Sequence, residues 1–210
     1  MLLLKLNSYI MTATRVPTLA DFEQALVNVR QVAIETPILH SNFLSNLVGH
    51  EVFLKAENLQ RTGAYKLRGA YNRMSKLTAA ERKKGVVAAS AGNHAQGVAL
   101  AARKLGIKAT IFMPVGASLP KLQATENYGA EVVLTGAVFA ETLKAAQEYS
   151  AKKGAIFIPP YDHLDVIAGQ GTVGLEILEE LDDVDNILVA IGGGGLAAGV
   201  ATVAKLKAAA

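Results

Sequence analysis

The 210-residue sequence predicts an α/β protein in which mostly parallel sheets are covered by helices. Three observations carry this expectation. Short apolar, β-branched runs alternate with longer runs whose apolar residues recur at helical spacing. Glycine or proline stands at most of the junctions between them. A four-glycine run, Gly192–Gly195, separates the last strand-like run from the last helix-like one.

The elements follow in order. Residues 18–34 read as a helix, with Thr18 and Asp21 spaced as a capping box. Residues 51–57 (EVFLKAE) read as a strand and 65–77 as a helix. Strand 85–90 precedes helix 94–106, which Gly106 closes. Strand 108–114 precedes helix 118–129, with Pro120 near its start. Strand 130–136 leads to helix 139–154, and strand 155–160 to a largely helical 166–181. The last pair is a buried strand at 186–191 (NILVAI) and a helix at 196–209. In parallel sheets ligands sit at the carboxyl ends of strands. The informative loops are therefore 58–65, 91–93, 114–117, 160–165 and 192–195.

Composition narrows the functional classes. Hydrophobic residues make up 51% of the chain, enough for a true core. The net charge of +3 is scattered, and its longest basic run is Arg82-Lys83-Lys84 at an expected helix end. No nucleic-acid partner is expected from this pattern. The chain contains no cysteine, which removes disulfides, thiolate metal sites and a cysteine nucleophile. His40, His50, His94 and His163 share no metal-ligand spacing, so no metal is expected. Lys5, Asn7 and Ser8 interrupt the apolar N-terminus, so no export signal is read there, and Met11 is the expected natural start. Ile187–Ala204 lacks charge over nearly a membrane-spanning length, but its four glycines favour a strand, turn and buried helix. No membrane association is expected.

The glycine run is the strongest local signal. Glycines let backbone N–H groups converge, and the helix that follows adds positive potential, so Gly192–Gly195 form an expected phosphate nest. Gly193, Gly195 and Ala198 also satisfy G-x-G-x-x-A, the dinucleotide fingerprint. Its late position in the chain disfavours that alternative. A second junction, SAGNHAQG at 90–97, offers Ser90, Asn93 and free amides from Gly92 to His94 as a carboxylate site. Taken alone, Asn93 reads first as an ordinary helix cap.

RTGAYKLRGAY (61–71) places Lys66 in the first turn of a helix, after a glycine turn. A partly desolvated amine at a helix N-terminus has a depressed pKa, and a neutral amine is a nucleophile toward carbonyls. On position alone Lys66 reads as a surface lysine, but lysine plus a phosphate cradle is what a pyridoxal 5'-phosphate site requires.

Five ordered segments then carry a family resemblance: KAENLQRTGAYKLRGAYN, SAGNHAQGVALAARKLGIKATIFMP, YGAEVVLTG, VIAGQGTVGLEI and VAIGGGGLAAG. Together, over residues 18–204, they resemble the threonine dehydratase (threonine ammonia-lyase) and serine racemase family of fold type II pyridoxal-phosphate enzymes. The resemblance implies two three-layer αβα domains with mostly parallel sheets. It assigns 53–154 to the smaller domain and 1–52 plus 155–210 to the larger, which is incomplete because relatives continue beyond the glycine run. Lys66 corresponds to the lysine that bears the cofactor and moves the substrate α-proton. Asn93 corresponds to the partner of the cofactor's phenolic oxygen, and Tyr65 to the aromatic neighbour of its ring. Gly192, Gly193, Gly194, Gly195 and Leu196 correspond to the phosphate loop. Ser90, Gly92 and His94 lie where the substrate carboxylate is held.

The implied reaction is β-elimination of L-threonine, and of L-serine, to a 2-oxo acid and ammonia, in a cytoplasmic homo-oligomer. Serine racemase and a non-catalytic fragment are the alternatives. Racemases of the family have a serine at the position of Ala91, and alanine cannot transfer a proton, which favours elimination. Ala64 also departs from the serine common in relatives.

Overall fold

A computed structural model describes residues 15–208. The expected start at Met11 and the last residue of the expected helix 196–209 lie outside them. Helix α1 (Leu19–Val29) leads to strand β1 (Ile38–His40), helix α2 (Asn42–Val48) and strand β2 (Phe53–Lys55). A 3-10 turn at Glu57–Leu59 precedes α3 (Lys66–Ser75) and α4 (Ala79–Lys84). The chain then alternates: β3 (Val86–Ala89), α5 (Asn93–Leu105), β4 (Ala109–Met113), α6 (Leu119–Asn127), β5 (Glu131–Leu134), α7 (Phe139–Lys153), β6 (Ile156–Phe157) and α8 (Leu164–Glu180). Helix α9 (Gly195–Ala208) follows the glycine run.

Four of the strands form one parallel sheet in the order β5-β4-β3-β6. Alternation along β3 explains its two covered faces. Val86 and Ala88 pack with Leu67 and Met74 of α3 and Val98 of α5. Val87 and Ala89 pack with Ala146 of α7 on the other side. The chain steps outward from β3 through β4 to β5, then returns to place β6 on the opposite side of β3. The sheet order therefore reverses between β3 and β6, and the crevice at their carboxyl ends is where such sheets bind ligands.

A second helical layer joins α1, α8 and α9 through Phe22, Ala25, Leu26, Ala168, Leu175 and Val203. Glycine lets α3 and α8 touch backbone to backbone. A Cβ on Gly169 would stand 2.7 Å from the Arg68 carbonyl oxygen and 2.7 Å from Gly69 Cα. Neither neighbour can rotate away. Gly169→Ala is therefore expected to destabilise the chain by about 1–3 kcal/mol through overpacking. Thermal unfolding checks this, and an unchanged Tm would show that the crossing of α3 and α8 accommodates a Cβ.

Several expectations are corrected. The strand expected at 51–57 shortens to β2, which pairs antiparallel with β1 in a separate two-stranded sheet. Helix α5 starts at Asn93, with Gly92 as its N-cap and no side-chain cap, so the Asn93-cap reading fails. The buried strand expected at 186–191 has no ladder, and Leu188 and Ile191 are 93% and 75% exposed. Its apolar pattern requires a neighbouring strand, and none of the described residues supplies one. Asp21 does accept both the Thr18 amide and the Thr18 hydroxyl at 2.8 Å, as the capping-box spacing anticipates. Among the described residues no helix is long and apolar enough to cross a membrane.

Candidate active site

Lys66 is the first residue of α3. Its place is set by Gly97 of α5, where a Cβ would stand 3.0 Å from Leu67 N and 3.1 Å from Lys66 C. A side chain there would require the N-terminus of α3 to move away by a few tenths of an ångström. The Lys66 side chain crosses to the end of β6 and donates from Nζ to the Pro160 carbonyl at 2.7 Å. Nζ also lies 5.3 Å from the centroid of the Tyr65 ring. Burial lowers the amine's pKa, because desolvation penalises the ammonium form.

His94 reaches the same turn. Its Nε2 bonds the Ile158 carbonyl at 3.0 Å, and an acceptor there requires the proton on Nε2. Nδ1 is therefore an unprotonated acceptor, buried and without a partner among the described residues. Desolvation, partly opposed by the bond to Ile158, pushes the ring down to about 4, and the nearby Lys66 charge adds to the shift. The sign for stability follows. Unfolded histidine takes up a proton near pH 6.5, whereas the folded ring refuses it until about pH 4. His94 thus makes stability fall as pH drops across that window, by up to about 3 kcal/mol. Comparing urea midpoints of the wild type with His94→Gln between pH 7 and 4 tests this: the gap in pH dependence should vanish in the variant.

Ser90 follows β3, and its backbone donates to Phe112 O at 3.0 Å. Its hydroxyl accepts the Gly92 amide at 3.1 Å, so that one of the three expected free amides is already engaged. Asn93 is exposed at the start of α5.

The glycine run lies beside the same turn. Gly194 has φ +88°, a conformation that glycine adopts without strain. Gly192 and Gly194 face open space, with nothing within 4 Å of a notional Cβ. Gly193 and Gly195 instead abut Tyr161, the residue after Pro160. Gly195 rather than Leu196 begins α9. The turn after β6 therefore connects the two main features: Lys66 donates to Pro160, and the glycine run packs on Tyr161. A partly desolvated amine and glycines at the N-terminus of a 14-residue helix fit a cofactor that presents an aldehyde and a phosphate.

Sequence reasoning missed the cluster behind Lys66. Arg68, fully buried on α3, makes two bonds to Glu57 (2.7 and 2.9 Å) and two to Glu176 of α8 (2.6 and 2.8 Å). Lys55 adds a contact to Glu176 at 2.9 Å. These ion pairs tie α3 to α8 two residues from Lys66. The only sequence signal was a charged residue within a helix face that is otherwise buried.

Fold and site define an α/β protein with a partly buried lysine and a glycine run that meet one turn beside the switch point of a parallel sheet. Comparison with known proteins agrees. The profile of the family described as "Pyridoxal-phosphate dependent enzyme" matches residues 29–210. This chain belongs to the pyridoxal-phosphate-dependent enzyme family. It is 52% identical to the L-threonine ammonia-lyase of Thermotoga maritima over 188 residues, 90% of this chain and 47% of that protein. It is 56% identical to the catabolic L-threonine dehydratase of Escherichia coli K12 over 171 residues, 81% of this chain and 52% of that protein. Among solved structures, the processed threonine deaminase isoform 2 of Solanum lycopersicum superposes with a TM-score of 0.84 at 44% identity, over 93% of this chain and 55% of that one. Maize serine racemase superposes with a TM-score of 0.88 at 36% identity, over 91% of this chain and 58% of that one. The chain thus spans about half the length of the relatives it matches.

Proposed function

We propose that this chain carries the lysine and phosphate sites of a pyridoxal-phosphate-dependent ammonia-lyase that acts on L-threonine and L-serine. The observation that carries the reading is the turn at 160–161, which holds Lys66 Nζ at 2.7 Å from the Pro160 carbonyl while Tyr161 abuts Gly193 and Gly195. The similarity to threonine ammonia-lyases favours elimination, and the similarity to serine racemase is the second reading. Ala91, lacking any proton-transferring group, favours the first.

The cofactor, when bound, supplies an electron sink that makes the substrate α-proton removable. Lys66 Nζ would hold the cofactor through its aldehyde and would serve as the acceptor of the substrate α-proton. Its burial lowers the amine's pKa, which favours the neutral form that this task uses. The backbone amides of Gly192 to Leu196 and the N-terminus of α9 would receive the cofactor's phosphate. Asn93 would partner the phenolic oxygen, and Tyr65 would offer an aromatic neighbour to the cofactor ring. The Ser90 hydroxyl, whose oxygen already accepts the Gly92 amide, and the backbone amide of His94 would orient the substrate carboxylate, while the neutral His94 ring, fixed to Ile158, has no free N–H to offer it. Loss of water, followed by its return on hydrolysis, converts threonine to 2-oxobutanoate and ammonia, and serine to pyruvate and ammonia.

The division into 53–154 and 1–52 plus 155–210 is kept as part of this proposal, with β6 lending the smaller unit an edge strand. A cytoplasmic homo-oligomer is the expected assembly. Incubation of the chain and cofactor with L-threonine and L-serine tests the function. The proposal expects ammonia and the matching 2-oxo acid, with no D-serine. Accumulation of D-serine would establish the racemase reading, and cofactor capture without turnover the non-catalytic one.

A further inference from the structure

The four glycines do not face the same surroundings. Gly192 and Gly194 border open space. At Gly193 a Cβ would enter the Tyr161 ring, and at Gly195 it would stand 3.0 Å from Tyr161 O and 3.1 Å from Tyr161 Cα. Two positions of the run are thus glycine because Tyr161 lies against them, and two are left to face a ligand. Tyr161 is still 40% exposed, and its hydroxyl makes no hydrogen bond among the described residues. Its contact is made through the ring and the backbone. The residue before it accepts the Lys66 ammonium at 2.7 Å.

We infer that Tyr161 is a positioning residue that holds the glycine run in register with Lys66, so that one ligand reaches the amine with its aldehyde and the glycine amides with its phosphate. The inference rests on the pyridoxal-phosphate reading above. Packing explains how it acts. A ring seated on Gly193 removes alternative loop conformations, and a glycine run has many to lose. Without the ring the loop samples them, and phosphate binding weakens by the fraction of time spent misplaced.

Pyridoxal and pyridoxal phosphate separate this role from a general loss of structure, because they differ at the phosphate; pyridoxal is largely closed as an internal hemiacetal, so preference here means the ratio of the two affinities relative to that on free lysine. Both are titrated into the full chain and read by visible absorbance, with borohydride trapping as a second readout. Tyr161→Phe keeps the ring and is expected to leave both affinities within about twofold. Tyr161→Ala is expected to weaken pyridoxal phosphate at least about tenfold and pyridoxal less than about twofold, which erases the preference for the phosphorylated form. Gly193→Ala, with Tyr161 intact, is expected to erase the same preference by pushing ring and loop apart. This second variant keeps the question answerable if Tyr161→Ala does not fold. A preference retained in both variants, or a parallel loss of both ligands, overturns the assignment. A wild-type chain that shows no preference for pyridoxal phosphate overturns the cofactor reading itself, and this inference with it.

Discussion

Lys66→Ala removes covalent capture of pyridoxal phosphate altogether, with no visible absorbance from a lysine-bound cofactor and no borohydride-stable adduct. The expectation follows from position. Lys66 Nζ meets the turn that adjoins the glycine run, and its amine is partly desolvated. Other lysines, such as Lys108 and Lys144, lie on the surface with side chains 78% and 79% exposed. Surface amines react with aldehydes only weakly and without a phosphate anchor. Turnover in the variant should fall by several orders of magnitude, since both the covalent attachment and the proton acceptor are lost. Lys66→Arg should behave the same way, because a guanidinium does not deprotonate in the accessible pH range. The lowered pKa adds a pH signature: capture in the wild type becomes half-maximal below the 10.5 of an ordinary lysine. The fold should survive the change, because Lys66 contributes a single side-chain hydrogen bond among the described residues.

Arg68→Met is expected to produce the largest loss of stability. Arg68 is fully buried between Glu57 and Glu176, with two hydrogen bonds to each. Removing one member of such a cluster leaves buried carboxylates without compensation and costs about 3–5 kcal/mol. Small domains have only about 5–15 kcal/mol in total. Lys55, 2.9 Å from Glu176, and the Thr36 hydroxyl, 2.6 Å from Glu57, cover part of the deficit. Arg68→Lys should recover little, since one ammonium cannot match two carboxylate forks. Neutralising both partners in Arg68→Met/Glu57→Gln/Glu176→Gln should recover more than half of the loss. Denaturant unfolding of the three variants checks the order, and a triple variant no better than the single one would show that the charges are not what binds α3 to α8.

How far the sequence revealed the molecule depended on the range of the interactions involved. Helices α5 and α7 end at Gly106 and Gly154, both left-handed, where glycine at the end of a periodic run signals a stop. Strands β3, β4 and β5 fall inside the apolar runs that announced them, because strand and helix periods are local properties. The segment 186–191 shows the limit. Its composition is that of a buried strand, but strand formation depends on a neighbour that local pattern cannot supply. Helix α2 had its signals, Ser41 as cap and Gly49 as a left-handed stop, yet it buries no residue and gave no clear apolar stripe. In the site, Lys66 and the glycine run were legible because each has an unusual local chemistry. The Arg68 cluster was not, since Glu176 lies 108 residues away and nothing local marks the pair. Tyr161 fell within a loop singled out for search, but its contact with Gly193 arises only once β6 and α9 are placed.

The central claim is that Lys66 and the glycine run form one pyridoxal-phosphate site, and peptide mapping tests it most directly. The chain is incubated with the cofactor, reduced with borohydride and digested, and the modified residue is located by mass spectrometry. The account predicts one dominant adduct on Lys66, suppressed by excess inorganic phosphate. An adduct spread over several lysines, or one on Lys66 that phosphate does not affect, would contradict it.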